Sequence, residues 1–205
     1  MKLATVSFFS LLSVLGLVAI VSSCSHSQRI SGAWQGNPAR LTVAGAEYAN
    51  STLTMDFAPL NNGTNSGDVN ISAVIDVQQA MNTASDNTFQ EPYITSISAT
   101  ASIDGRYAFE ERDDDDVMIS FDQSSLTVNV DPSGVLFSEN VLTGTEQATR
   151  DSLASAVAER WRVAITTAIR DEFLRYSRID DIKVHHSDMM SCEIADRDQT
   201  FRRVK

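Results

Sequence analysis

The sequence is poor in the residues that build disulfide-bonded or zinc-bound domains. It contains only two cysteines, Cys24 and Cys192. Two cysteines cannot form a disulfide framework or a cysteine-based zinc site. Because Met190 and Ile194 lie two residues on either side of Cys192, we expect this thiol to pack as a small core hydrophobe rather than to act as a reactive group.

Positive charge is also scarce. The chain has 16 lysines and arginines against 27 aspartates and glutamates, and its formal net charge is −11. Lys2 is the one basic residue before Cys24, and every acidic residue comes after Cys24. A surface of this sign repels DNA and RNA, so we expect no nucleic-acid partner.

No catalytic constellation stands out. The three histidines are His26, His185 and His186, and no Gly-x-Ser-x-Gly motif is present. The adjacent pair falls in a predicted strand, where neighbouring side chains point to opposite faces and cannot chelate one ion. The sequence therefore predicts no catalytic residues, no metal site and no cofactor, and an envelope enzyme is the least favoured of three hypotheses.

The densest charge is the run from Glu110 to Asp116, which contains four consecutive aspartates. Carboxylates in a loop can collect calcium, but the spaced pattern of a calcium-binding loop is missing. The run lies between two predicted strands, where charge keeps a hairpin tip soluble and blocks edge pairing. We interpret it as a solvated hairpin tip, with a calcium site as the alternative.

The N-terminal segment has the pattern of an export signal. Lys2 precedes an uncharged apolar run from Val6 to Val21. The run ends in Val21-Ser22-Ser23-Cys24, which resembles the lipobox of bacterial lipoproteins. The resemblance implies a signal peptide over residues 1–23, a lipidated Cys24 and a short tether over 24–29. Ser25, with no aspartate beside it, resembles outer-membrane sorting, with the domain facing the periplasm; an ordinary cleaved signal is the alternative.

From Ile30 to Val141 the sequence alternates with the period of β-strands. One face of Ser51–Phe57 is apolar, and the same holds for Val69–Val77 and for Tyr93–Ile103. Asp104-Gly105 is a hairpin signal that predicts a separate returning strand over Arg106–Glu110. This persistent alternation at short spacing predicts an antiparallel meander closed into a barrel or sandwich.

The pattern changes to helical spacing after Thr143. Thr143 and Glu146 are spaced as a capping box, and no proline or glycine occurs between residues 145 and 177. Apolar residues recur near helical spacing, and we expect Trp161 to dock this helix on the barrel. A helix of this length spans on the order of 50 Å, so it should bend, break or lie across the barrel. About three further strands follow it.

Gly32-Ala33-Trp34 near the start and Phe201-Arg202-Arg203 at the end resemble the calycin arrangement of lipocalins and lipocalin-like bacterial lipoproteins. In that family a tryptophan of the first strand packs against a cation from the last strand and closes the barrel. The resemblance implies that Trp34 pairs with Arg202 or Arg203. It also implies an antiparallel up-and-down barrel of about eight to ten strands over residues 30–205, with one long helix before the last strands.

Three functions are compatible with this organisation. The first is a membrane-anchored binding module whose barrel interior holds a small apolar ligand or lipid. The interior would be lined by residues such as Ile71, Ile75, Ile97, Ile103, Phe109 and Ile119. The second is a protein-interaction or structural lipoprotein with a filled barrel, and the third is the envelope enzyme.

Overall fold

The computed structural model describes residues 30–60, 64–79, 94–110, 115–137 and 146–205. These residues form eleven strands and one long α-helix, in the order β1 (Gly32–Gly36), β2 (Ala39–Arg40), β3 (Ala46–Phe57), β4 (Ser66–Gln79), β5 (Ile94–Phe109), β6 (Val117–Phe121), β7 (Thr127–Val130), β8 (Leu136–Phe137), α1 (Gln147–Leu174), β9 (Arg178–His185), β10 (Met189–Glu193) and β11 (Asp198–Arg203). Short 3-10 turns occur at Gln123–Ser125, Pro132–Gly134 and Arg175–Ser177.

Eight of the strands close into an antiparallel barrel. Their order is β1, β11, β10, β9, β6, β5, β4, β3, and pairing of β1 with β3 completes the circuit. The short strand β2 adds to β3, while β7 and β8 add to β5. The predicted up-and-down barrel with a long helix before the last strands is confirmed.

The predicted hairpin at Asp104-Gly105 is wrong, because β5 runs unbroken through both residues. β4 pairs with β5 from Ser66↔Ala108 to Val77↔Ile97, so Asp104 and Gly105 occupy ladder positions. Along its other edge β5 pairs in turn with β6, β7 and β8. A Cβ on Gly105 would lie 2.9 Å from the carbonyl oxygen of Ser120 in β6. The glycine therefore permits close approach of a neighbouring strand rather than a turn.

The barrel interior is packed with side chains. The inward residues of β3, β4 and β5 alternate as predicted, and Leu53, Ile75 and Ile97 are each at most 3% exposed. Alanines at 73, 99 and 101 also point inward and are buried. Barrel and helix side chains belong to one continuous apolar cluster.

Helix α1 supplies the other half of that cluster. Its buried residues recur almost every fourth position, at Val157, Ala158, Trp161, Ile165, Ile169 and Phe173. The helix contacts β7, the Pro132–Gly134 turn and β5, so it lies beside the stretch of β5 that β6 does not cover. Its 28 residues are continuous and give a length of about 42 Å. Among the described residues no helix is both long enough and apolar enough to cross a bilayer.

The buried face of α1 provides a test of the packing between helix and barrel. Replacing Ile165, which is fully buried, with alanine should lower the free energy of unfolding by about 2–5 kcal/mol, because the helix cannot follow the lost side chain into the barrel. Chemical denaturation monitored by circular dichroism measures the change. Val163→Ala on the same helix removes a side chain that is 59% exposed, and its effect should stay within about 0.5 kcal/mol. Equal losses in the two variants would contradict the packing described here.

Candidate functional site

The tryptophan of β1 lies at the closed seam of the barrel. Trp34 is fully buried, and its indole N–H donates to the carbonyl oxygen of Ile30 at 2.6 Å. The guanidinium carbon of Arg203 lies 4.2 Å from the centroid of the indole ring. Trp34 and Arg203 are also register partners in the β1–β11 ladder. Of the two arginines named by the calycin resemblance, Arg203 makes this contact, whereas Arg202 is exposed.

Two backbone carbonyls hold the Arg203 guanidinium in place. Its Nη1 donates to the oxygen of Ser31 at 2.7 Å, and its Nε donates to the oxygen of Ser187 at 2.8 Å. Gly32 has φ +105°, and a Cβ there would lie 2.7 Å from Arg203 Nη1. The glycine is therefore required twice, for its backbone conformation and for the space that the guanidinium occupies. This arrangement is a structural site, and it contains no group that could perform chemistry.

The acidic run is described at its two ends, and residues 111–114 lie outside the described part. Arg178 at the start of β9 contacts Glu110 at 3.1 Å, Asp116 at 3.0 Å and Asp180 at 2.6 Å. Glu110 and Asp116, the two ends of the run, are thus joined to β9, next to the two register pairs that connect β6 with β9. The carboxylates of Glu110 and Asp116 therefore have a structural role in addition to being solvated.

The histidine pair is spread over a strand end and a turn. His185 ends β9, and its Nε2 lies 3.0 Å from the Ser191 hydroxyl. His186 has φ 50° and lies with Ser187 in the turn to β10, not in the strand as predicted. Within the ranges that the structure describes, no group of three or more histidine, cysteine or acidic residues is placed to hold a metal ion.

Cys192 is a buried residue of β10, and its side chain belongs to the core. Burial raises the pKa of its thiol to about 12. A thiol with this pKa is protonated at neutral pH and is a poor nucleophile. The other cysteine, Cys24, lies outside the described residues, as do the signal segment, the tether and Thr143. Glu146 precedes α1 without a side-chain cap.

A cleft of about 190 Å³ opens at the end of the barrel where α1 finishes, and we call it the arginine cleft. Three arginines from separate elements line it: Arg40 of β2, Arg175 of the turn after α1, and Arg197 of the β10–β11 turn. Its other lining residues are Gly36, Asn37, Ala39, Leu53, Glu172, Tyr176, Ile194, Gln199 and Phe201.

The local backbone explains why these side chains meet. The β10–β11 turn places Ala195 and Asp196 at positive φ, and reciprocal backbone hydrogen bonds between Ile194 and Arg197 close it. Tyr176 is buried at the end of α1, and burial followed by the nearby Glu172 carboxylate raises its pKa, so its hydroxyl stays protonated at neutral pH. The cleft thus combines guanidinium, amide and phenol donors over an apolar floor.

Three further hollows offer less chemistry. One of about 270 Å³ lies on a hydroxyl-bearing outer face of β3, β4, β5 and β7, and one of about 430 Å³ is bordered by Asp56, Asp68 and Asp104. A third, of about 260 Å³, lies between Gly45 and Trp161. Trp161 Nε1 and Ser51 Oγ are buried without a hydrogen-bond partner among the described residues. The arginine cleft differs from these hollows in gathering several charged donors around one space.

The contribution of the Trp34–Arg203 contact to stability can be tested with Arg202 as the control. Arg203→Gln should lower the free energy of unfolding by about 2 kcal/mol, because it removes a cation–π contact and charge-assisted hydrogen bonds to two carbonyls. Arg202→Gln removes the same charge from the opposite face and should change stability by less than about 0.5 kcal/mol. Urea unfolding of both variants measures the difference, and a larger loss for Arg202→Gln would refute the assignment.

The buried thiol predicts how stability depends on pH. In the unfolded chain a cysteine ionises near its ordinary pKa of about 8.5, whereas the folded thiol keeps its proton up to about pH 12. The contribution of Cys192 is therefore fully present below about pH 8.5 and is lost progressively as the pH rises towards the folded value. Between pH 8.5 and 10, unfolding free energies of the native chain should fall more steeply than those of Cys192→Ala.

Between about pH 8.5 and 10 the effect of the Cys192 thiol on stability can be measured apart from that of the buried tyrosines. Burial, followed by the charge of Asp68, raises the pKa of Tyr107 to about 12, but the ordinary value for tyrosine is 10.0. By the same argument, the stability that the buried Tyr107 hydroxyl contributes is lost only above about pH 10. Parallel slopes for the native chain and Cys192→Ala between pH 8.5 and 10 would show that the thiol is not buried as described.

Comparison with known proteins gives no family from which a role for these residues could be taken. No protein-family model matches the chain, and no curated protein sequence is significantly similar to it.

Proposed function

We propose that this chain is a membrane-anchored cell-envelope lipoprotein whose β-barrel domain acts as a binding module. The anchor is a lipidated Cys24, supported by the sequence Val21-Ser22-Ser23-Cys24 after an apolar run. Ser25 favours the outer membrane, with the domain facing the periplasm. A lipoprotein anchor carries more than one acyl chain, which gives stable attachment. The six residues of the tether, 24–29, keep the domain close to the bilayer.

The binding role is carried by one observation, the arginine cleft. The fold collects three cations around an open space of about 190 Å³ on a chain of net charge −11. A cleft with a few convergent polar groups is the usual form of a ligand site. The proposed module therefore binds at the end of the barrel, on its outside.

A small apolar ligand or lipid inside the barrel is the alternative binding mode. Its predicted lining residues, among them Ile71, Ile97 and Phe109, are at most 7% exposed and pack in one cluster with α1. This packing favours a filled barrel. Native mass spectrometry of the protein purified from its own envelope separates the two modes, because an interior ligand should co-purify as a bound mass.

A protein-interaction role is the other alternative. It would need an apolar surface, and the large apolar side chains exposed on the described part of α1 are Val163 and Leu174. They alternate with charged residues such as Arg162 and Asp171. The exposed face of the helix therefore resembles an ordinary solvated surface, and the cleft is the better candidate.

The anchor is tested by removing its acylation site. Cys24→Ser should move the protein from the membrane fraction to the soluble or periplasmic fraction, because the modification requires the thiol. Fractionation followed by immunoblotting of the full chain measures the shift. Cys192→Ala is the matched control, since it removes the other cysteine and should leave the protein in the membrane fraction. Persistence of Cys24→Ser in the membrane fraction would refute the lipoprotein proposal.

A further inference from the structure

The arginine cleft gathers positive charge that the chain only partly compensates. Arg40, Arg175 and Arg197 come from β2, from the turn after α1 and from the β10–β11 turn, so the fold itself brings them together. Glu172 is the acidic residue that lines the same space. Among the residues that line the cleft, three guanidinium groups accompany one carboxylate, while Asp196 and Asp198 flank Arg197 in the chain. Arginines thus outnumber carboxylates in the lining of the cleft, whereas acidic residues outnumber basic ones in the whole chain.

The three arginines are not equivalent. Arg175 Nη1 lies 3.1 Å from Glu172 Oε2, and the Glu172 side chain is only 15% exposed. This partner orients Arg175 towards the cleft. The side chains of Arg40 and Arg197 are exposed, and neither has an ion pair or side-chain hydrogen bond within the described ranges. Their guanidinium donors are available to a ligand.

We propose that the arginine cleft binds a small free oxyanion, through a phosphate or carboxylate group held by Arg40 and Arg197. This inference deepens the proposed binding function and rests on it. A guanidinium presents donors in a planar fork that matches two oxygens of a phosphate or carboxylate. Gln199 and Asn37 add amide groups to the lining. Arg175, already paired with Glu172, is a positioning residue that adds its charge.

The dimensions of the cleft limit the ligand. Its volume of about 190 Å³ is smaller than the pockets of about 300–1,000 Å³ that hold drug-sized molecules. A phosphate or a short carboxylic acid fits this space, whereas an acyl chain does not. Leu53, Ile194 and Phe201 form an apolar floor, which suits an anion with a short non-polar portion.

The cleft does not adjoin the point where the predicted tether enters the barrel. β1 begins at Gly32, next to the predicted tether, and ends at Gly36 in the cleft lining. The four residue-to-residue steps from Gly32 to Gly36 span about 13 Å in an extended strand. The cleft therefore lies at the opposite end of β1 from the point where the predicted tether joins the barrel.

Isothermal titration of the full-length chain in a non-ionic detergent at low ionic strength tests the inference. Inorganic phosphate and succinate are the two probes. Arg40→Gln and Arg197→Gln should each weaken binding of the preferred probe about tenfold, the effect of one charge-assisted hydrogen bond. Arg170→Gln removes an equal charge from an exposed arginine of α1 outside the cleft, and its affinity should change less than about twofold. Binding should weaken with added sodium chloride.

Three results would overturn the inference. The first is the absence of heat from either probe when circular dichroism shows the chain to be folded. The second is an equal loss of affinity in Arg170→Gln and in the cleft variants. The third is cleft-dependent binding to vesicles of anionic phospholipid with no binding of phosphate or succinate, which would identify a headgroup instead. None of these results alters the fractionation of Cys24→Ser, so failure of the ligand assignment and failure of the lipoprotein proposal are distinguishable.

Discussion

The fold depends on β1 being paired along both of its edges. It is only five residues long, yet its partners are β11 on one side and β3 on the other. Without it the barrel would have two open edges, each offering unpaired backbone groups to other chains. So short a strand contributes few ladder hydrogen bonds, and the buried indole of Trp34 with Arg203 against it adds side-chain packing that fastens the seam.

The same seam explains why the ends of the domain are placed as they are. Arg203 reaches back to the carbonyl oxygen of Ser31, so the last strand fixes the residue that precedes the first. Val204 continues this connection through its backbone N–H, which donates to the oxygen of Ala33. Two hydrogen bonds from the last strand thus hold the start of the described chain against the barrel.

Sequence patterns predicted those features that are repeated locally. Period-two alternation identified the inward residues of β3 and β4, and four-residue spacing identified the buried face of α1. The contact of Trp34 was expected from a family resemblance, but the choice of Arg203 over Arg202 follows from register and had to be observed. Asp104-Gly105 misled because a dipeptide that favours a turn is also tolerated in a strand when β4 pairs along its whole length.

The arginine cleft was not predictable in this way. Arg40, Arg175 and Arg197 are separated by more than 20 residues at the closest, and each is preceded and followed by residues of no particular motif. They meet because β2, the end of α1 and the β10–β11 turn all border the same cleft at one end of the barrel. A site assembled from strand ends and turns leaves no periodic signal in the sequence.

Helix α1 contributes both to the packed core of the barrel and, at its C-terminal end, to the arginine cleft. The buried side chains from Val157 to Phe173 pack in one apolar cluster with the inward residues of the barrel. The next turn of chain then places Arg175 and the buried Tyr176 in the lining of the cleft at the barrel end. The described residues thus offer a packed apolar interior and a rim with several guanidinium groups, and an anion suits that rim better than an apolar ligand would.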